Sequence, residues 1–421
     1  MSWKNYKASE LCSDIIDCVN KTAPISKSPT PYRMLRTSDI RDGFINLENL
    51  NSVSKETYLK WTRRGLLQKG DIVFTREAPL GEVGLVRHAD NYFLGQRLVL
   101  YRANPKVCDN LFLLYWFLNP QNKESIKSRG VGATVTHLRV PECEKIEIKA
   151  PDIETQHRIG QILSAYDDLI ENNQKQIKLL EEVAQRLYKQ WFIDLRYPGH
   201  ETTPIVDGLP KGWRKEKLGE IIEYEIGGGW GEDDIKEKCD QPAFVIRGTD
   251  FYGITHGEIL NIPFRYHSKT NLDARALCDG DIIFEVSGGS KTEGVAKTVL
   301  IKQALLDHLK YPVMCASFCK LIRLKNRKLS QYMYDAFFYL RKSGKTAEYD
   351  KRSASSIVNY RWKDFLNEID VVIPSDLIVN QYNEIVATSY ERIMKLSLSI
   401  ETTKKARDFI LPKLMNDELD V

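Results

Sequence analysis

NNQKQIKLLEEVAQRLYKQWFIDLRYPGHE, residues 172–201, decides the fold. It reads as an uncapped helix as far as Trp191 and then breaks toward Pro198 and Gly199. Extended upstream, Leu163, Tyr166, Ile170, Asn173, Ile177, Leu180, Ala184, Leu187 and Trp191 recur at alternating steps of three and four, the seam of a heptad. Moving 223 positions along gives Val386, Ser389, Ile393, Leu396, Ile400, Thr403, Arg407, Ile410 and Leu414, the same register with polar interruptions. Two helices of roughly 40 residues, each ~60 Å long at 1.5 Å per residue, are expected. The first carries the chain from one globular part to the next, and the second buries its seam by running back along it. The pair is therefore expected to be antiparallel, a spacer with a globular part at each end.

Those globular parts are one unit written twice. GDIVF at 70–74 recurs as GDIIF at 280–284, and RMLRTSDI at 33–40 as FVIRGTDF at 244–251. Trp3 and Trp213 open similar segments, and IEIKAPD at 146–152 answers IDVVIPSD at 369–376. Loop insertions between these pieces are easily absorbed. DIVF, RLVLYR and KLIRL read as strands, NLFLLYWFL and SQYMYDAFFYLRK as short buried helices. The expected class is α+β: two homologous α/β parts and two long antiparallel helices with a pseudo-twofold internal repeat. The divisions expected are 1–150, the spacer helix 151–197, a second globular part 198–373 with its linker, and a terminal helix 374–421.

Composition narrows the function classes. Of 421 residues, 42% are hydrophobic and 28% charged, a globular mix. Basic residues number 61 against 57 acidic, too balanced to prove or exclude a nucleic-acid partner. No apolar run approaches ~18 residues, and the opening MSWKNYKASELC has no apolar core, so a cytoplasmic chain is expected. Eight cysteines include no CxxC pair; Cys315 and Cys319 are spaced to share a helical face, without the histidines of a zinc site.

The central segment, followed by GLPKGWRKEKLGEI at 208–221, resembles the central conserved region of type I restriction–modification specificity subunits. GDIVFTREAPLGEVGLV and GATVTHLRVPECEKIEIKAP are similar to segments of that family's first target recognition domain; GGGWG, GDIIF and the late FILPKLM sit where it places comparable pieces. The resemblance covers essentially the whole chain. It implies two target recognition domains, each reading one half of a bipartite asymmetric site on double-stranded DNA. It further implies that the helices bind methyltransferase subunits, two of them, and restriction subunits, with no cofactor, no metal and no membrane.

The residues alone agree on what is missing. No Asn/Asp-Pro-Pro-aromatic tetrapeptide marks an adenine methyltransferase. EIGGGWGEDD at 225–234 fails the dinucleotide spacing and reads as a mobile turn, while SGGSKT at 287–292 lacks the glycines of a phosphate loop. Glu147 and Lys149 with a distant Asp71 are the best case for a nuclease, but alternation on a half-exposed strand explains the first two. A non-catalytic chain is expected. DNA contact is assigned to two basic stretches, 123–139 and 341–356, and their surroundings, where Lys and Arg neutralise phosphates and Ser, Thr, His and Arg read base edges. The candidates are Arg76, Arg97, Arg129, Thr134, His137, Lys291, Arg341, Lys345, Arg352 and Ser353. A coiled-coil protein scaffold that reads no DNA is the competing class, and a subunit of a methyltransferase-only system the competing assembly.

Overall fold

The computed structural model describes residues 3–132, 136–288, 294–352 and 357–419. Chain contacts divide the protein into two compact units, Met1–Asp168 with Lys404–Val421, and Leu169–Thr403.

In the first unit, strands Cys12–Asp17, Leu98–Ala103, Ile72–Thr75 and Val83–Leu85 form a four-stranded antiparallel sheet in that order. Ile72, Val73 and Phe74 are all buried, which is why this strand reads as an unbroken apolar run instead of alternating. A three-stranded sheet places Arg33–Leu35 between Asn51–Ser52, antiparallel, and Tyr92–Leu94, parallel. Lys4–Lys7 pairs with Glu147–Ala150 and closes the unit. Helix Asn110–Leu118 is capped by Asp109, whose carboxylate accepts the Phe112 N–H, and next to it Asn119 caps Pro120–Ser128, with Pro at the first turn. Phe74, Tyr101 and Phe117 meet in the core at centroid distances of 5.0 to 5.9 Å.

The second unit repeats this order. Ile222–Gly227, Cys319–Leu324, Ile282–Glu285 and Thr298–Leu300 form the four-stranded sheet. Gln241–Ile246 lies between Phe264–His267, antiparallel, and Val313–Cys315, parallel, while Arg214–Lys217 pairs with Asp370–Ile373. Ion pairs repeat as well as strands. Arg36 grips Asp39 through Nε (3.0 Å) and Nη2 (2.8 Å) and also donates to the Asn49 carbonyl; Arg247 grips Asp250 at the same two distances and donates to that of Asn261. Buried Asp71 is held bidentately by Arg102, and buried Asp281 by Arg323. The repeated sequence motifs are therefore clamps of the scaffold.

The units differ in what is added. A hairpin, Ile40–Arg41 with Phe44–Ile45, stands in the first where helix Phe251–His256 stands in the second. The second also has a small sheet of Ser287–Gly288, Val358–Tyr360 and Asp350–Arg352. Cys315 and Cys319 lie on two different strands, not on one helical face, and burial pushes both thiols up, Cys315 to about 12. GGGWG is a fastened segment, not a mobile turn. Gly228 N–H donates to Cys319 O (2.9 Å) and Gly229 N–H to Cys315 O (3.0 Å), and a Cβ on Gly228 would lie 2.2 Å from two backbone carbonyl oxygens.

The long helices span Ile153–Tyr188 and Asp376–Met415. The first is capped after all: Asp152 accepts the Thr155 N–H (2.9 Å) and hydroxyl (3.0 Å). It passes into a π-turn, Lys189–Ile193. In the first unit Leu163 and Leu414 are buried in the core around Phe112, with Ile410 at its edge, and Tyr166 is half-buried. In the second unit Ile170, Ile177, Trp191, Val386, Ile393 and Ile400 are core residues, with Leu180, Leu187 and Leu396 packed against them. There Asn173 donates from Nδ2 to Ser399 Oγ (3.2 Å) and Arg392 to Gln176 (2.8 Å), so these helix segments run antiparallel. The seam also packs onto globular residues: the Tyr188 ring meets Tyr332 and Tyr339.

Candidate nucleic-acid interface

One rim of the first unit gathers three of the candidate residues through backbone bonds. Arg76 N–H donates to Arg97 O, and Leu138 N–H donates to Arg76 O, both at 2.9 Å. His137, half-buried, exchanges two 2.9 Å bonds with Val131, closing the stretch after the Pro120–Ser128 helix on itself, and bridges to Glu77 in the turn following Ile72–Thr75. That turn includes the cis bond Ala78–Pro79.

The side chains there are unequal. Arg76 is only 15% exposed; its guanidinium donates to Leu138 O (3.0 Å) and lies 3.3 Å from Asp17, so it ties the rim together and offers little to a phosphate. Arg97 is 46% exposed in a left-handed turn (φ 74°), 3.5 Å from Glu77. Arg129, exposed, ends the Pro120–Ser128 helix, 3.9 Å from Glu147. Thr134 lies outside the described residues. The nuclease constellation is not assembled: Asp71 is clamped by Arg102, and Lys149 lies over the Trp3 ring. Among the described residues no group of three or more His, Cys, Asp or Glu is placed to hold a metal ion.

The second unit builds the same rim from other chemistry. Val286 N–H donates to Phe318 O, and Tyr360 N–H to Val286 O, again at 2.9 Å, so Val286 stands for Arg76 and Phe318 for Arg97. Arg341, half-buried, donates from Nε to Val295 O (3.3 Å). Lys345 is exposed at the start of the short helix Lys345–Tyr349. Arg352 ends strand Asp350–Arg352, its backbone opposite Val358; Lys291, Ser353 and the side chain of Arg352 lie outside the described residues. Phe318 has no charge that marks it in the sequence, because its place is set by backbone bonds.

Residues 3–182 match the family model described as Type I restriction modification DNA specificity domain. Over those residues the chain resembles the DNA specificity domain of type I systems. The chain is 27% identical to the type I restriction enzyme MjaIX specificity subunit of Methanocaldococcus jannaschii, over 85% of this chain and 79% of that protein. It is 19% identical to the HindI specificity subunit of Haemophilus influenzae, over 99% of both. Its fold is similar to that of the type I restriction–modification S subunit from M. genitalium, with a TM-score of 0.59 at 16% identity, covering 98% of this chain and 96% of that one. No described helix of the chain is long and apolar enough to cross a membrane.

Proposed function

We propose that this chain is a type I specificity subunit that reads a bipartite, asymmetric site on double-stranded DNA, one half-site with each of its two related parts, and organises two methyltransferase subunits and restriction subunits without chemistry of its own. Residues 1–150 and 198–373 act as the two target recognition domains. The helical stretches 151–197 and 374–421 carry the partner subunits and set the number of base pairs between the half-sites. The setting is the cytoplasm, and no cofactor or metal belongs to this chain.

One observation carries the reading. The repeated scaffold keeps its strand order and its Arg–Asp clamps, while the equivalent rims differ, Arg76 and Arg97 against Val286 and Phe318. A duplicated body with unlike rims is what reading two different half-sites demands, since phosphate contacts position a protein and base contacts specify the sequence. A scaffold that joins like partners has no use for that difference.

The test is methylation mapping in cells that carry the subunit with its methyltransferase partner. A two-part, gapped methylated sequence is expected, and exchanging residues 198–373 for those of another family member should replace one half only. Methylation without sequence preference would overturn the proposal. DNA cleavage on addition of the restriction partner separates a full system from a methyltransferase-only one.

A further inference from the structure

Phe318 lies at the tip of the turn between Val313–Cys315 and Cys319–Leu324, a turn closed by Cys319 N–H donating to Ala316 O (2.9 Å). Its side chain is 58% exposed. The backbone beneath it is fixed from two sides. Val286 and Ser287 N–H groups both donate to Phe318 O (2.9 and 3.2 Å), and Gly228 and Gly229 clasp Cys319 O and Cys315 O. A large apolar side chain is thus displayed on a rigid support, where a merely tolerated surface phenylalanine needs none.

Polar reading groups adjoin it. Ser287 pairs with Asn359 in the small sheet, and its hydroxyl donates to Asn359 Oδ1 (2.8 Å). Val358 and Tyr360 on either side are buried, so strand alternation turns Asn359 outward, and Lys351, opposite it in register, is exposed too. The Asn359 amide NH2 still has hydrogens to donate, and its oxygen a second lone pair.

We propose that Phe318 and Asn359 together select an A·T pair in the major groove of the second half-site, Phe318 against the thymine methyl and Asn359 on the adenine N6/N7 edge. Asparagine is the bidentate partner of adenine, and the thymine methyl takes apolar contacts, so one patch supplies both marks of that pair. The first half, with Arg97 at the equivalent point, lacks this combination and reads different chemistry. The inference rests on the DNA-reading function proposed above.

The experiment uses the subunit assembled with its methyltransferase partner and the target defined by methylation mapping. Thymines of the second half-site are replaced singly by uracil, which removes only the methyl group, and affinity is measured by fluorescence anisotropy at fixed salt. One replacement should weaken the parent complex roughly fourfold, the worth of one buried methyl group. Phe318→Ala should bind thymine and uracil duplexes alike at that position, with an unchanged melting temperature because the ring is exposed. Asn359→Ala should relax the requirement for adenine at the same pair. A parent indifferent to every uracil, a Phe318→Ala complex that still discriminates, or a second half-site without an A·T pair overturns the inference. A parent complex with no sequence preference at all would instead sink the DNA-reading function beneath it.

Discussion

The phenol of Tyr115 donates a 2.6 Å hydrogen bond to Asp167, and in the second unit the same bond is made with donor and acceptor exchanged, Tyr390 donating to Asp335 at 2.7 Å. The positions correspond. Phe117 meets Phe74 at 5.5 Å and Phe337 meets Phe284 at 5.6 Å, which aligns the two buried helices at an offset of 220 and so Tyr115 (115 + 220) with Asp335. The long helices align at 223, and so Asp167 (167 + 223) with Tyr390. Each carboxylate has found its own support, Asp167 in Arg407 (2.5 Å) and Asp335 in Tyr382 (2.8 Å) and Gln331 (3.1 Å).

Asp167→Asn should cost about 1.5–3 kcal/mol, because Arg407, only 13% exposed, loses its bond to a buried carboxylate and keeps the one to Asp408 at 2.8 Å. Tyr115→Phe should cost about 1.5–3 kcal/mol, the range for a hydrogen bond to a charged group. Urea unfolding at constant slope measures both; an Asp167→Asn protein as stable as the parent contradicts the assignment.

Asp335 gives the second unit a pH dependence. Burial pushes its carboxyl up to about 6 despite hydrogen bonds from Gln331, Tyr390 and Tyr382 that favour the ionised form. The folded state therefore takes up a proton at higher pH than the unfolded state. Stability from this group falls as pH rises from about 4 to about 6 and levels off above, a span on the order of 2–3 kcal/mol. Glu181, raised to about 7 by burial and 3.9 Å from His256, adds the same sign. Thermal melts from pH 4.5 to 7.5 should show the parent losing stability through that window and Asp335→Asn losing less; equal slopes would refute it.

Arg97 and Arg76 separate DNA contact from scaffold. Arg97→Ala should leave the melting temperature unchanged, weaken DNA binding by the complex, and reduce the salt slope by about one. Arg76→Ala should lower the melting temperature, since it removes the tie to Leu138 O and Asp17. The reverse pattern would exchange the two roles.

The helices are the expected ruler of the half-site gap. Four residues inserted after Asn173 and four after Ser399, on either side of their 3.2 Å contact, keep the antiparallel pairing and add about 6 Å. With DNA rising ~3.4 Å per base pair, the gap in the methylated sequence should grow by one or two pairs and the half-sites stay the same. An unchanged gap at full activity would mean that the helices do not set it.

The sequence by itself determined the repeat, the long helices and the strands at DIVF, RLVLYR and KLIRL, because periodicity is a local property that burial of one face imposes on neighbouring residues. The motif RTSD answering RGTD announced equivalent places, though not that both are Arg–Asp clamps. The cap at Asp152 was legible in principle, since Asp before a helical run is the usual signal.

Tertiary structure alone decided which charges remain available to a ligand. Arg76 and Arg97 look alike in the chain, yet one is held by Leu138 and Asp17 and the other stands at the rim. It alone placed Phe318 where Arg97 stands, and exchanged tyrosine for aspartate between equivalent helices. In each case the deciding contacts join residues far apart in the chain, such as Asp167 with Arg407 and Val286 with Phe318, and no local pattern records a partner found only on folding.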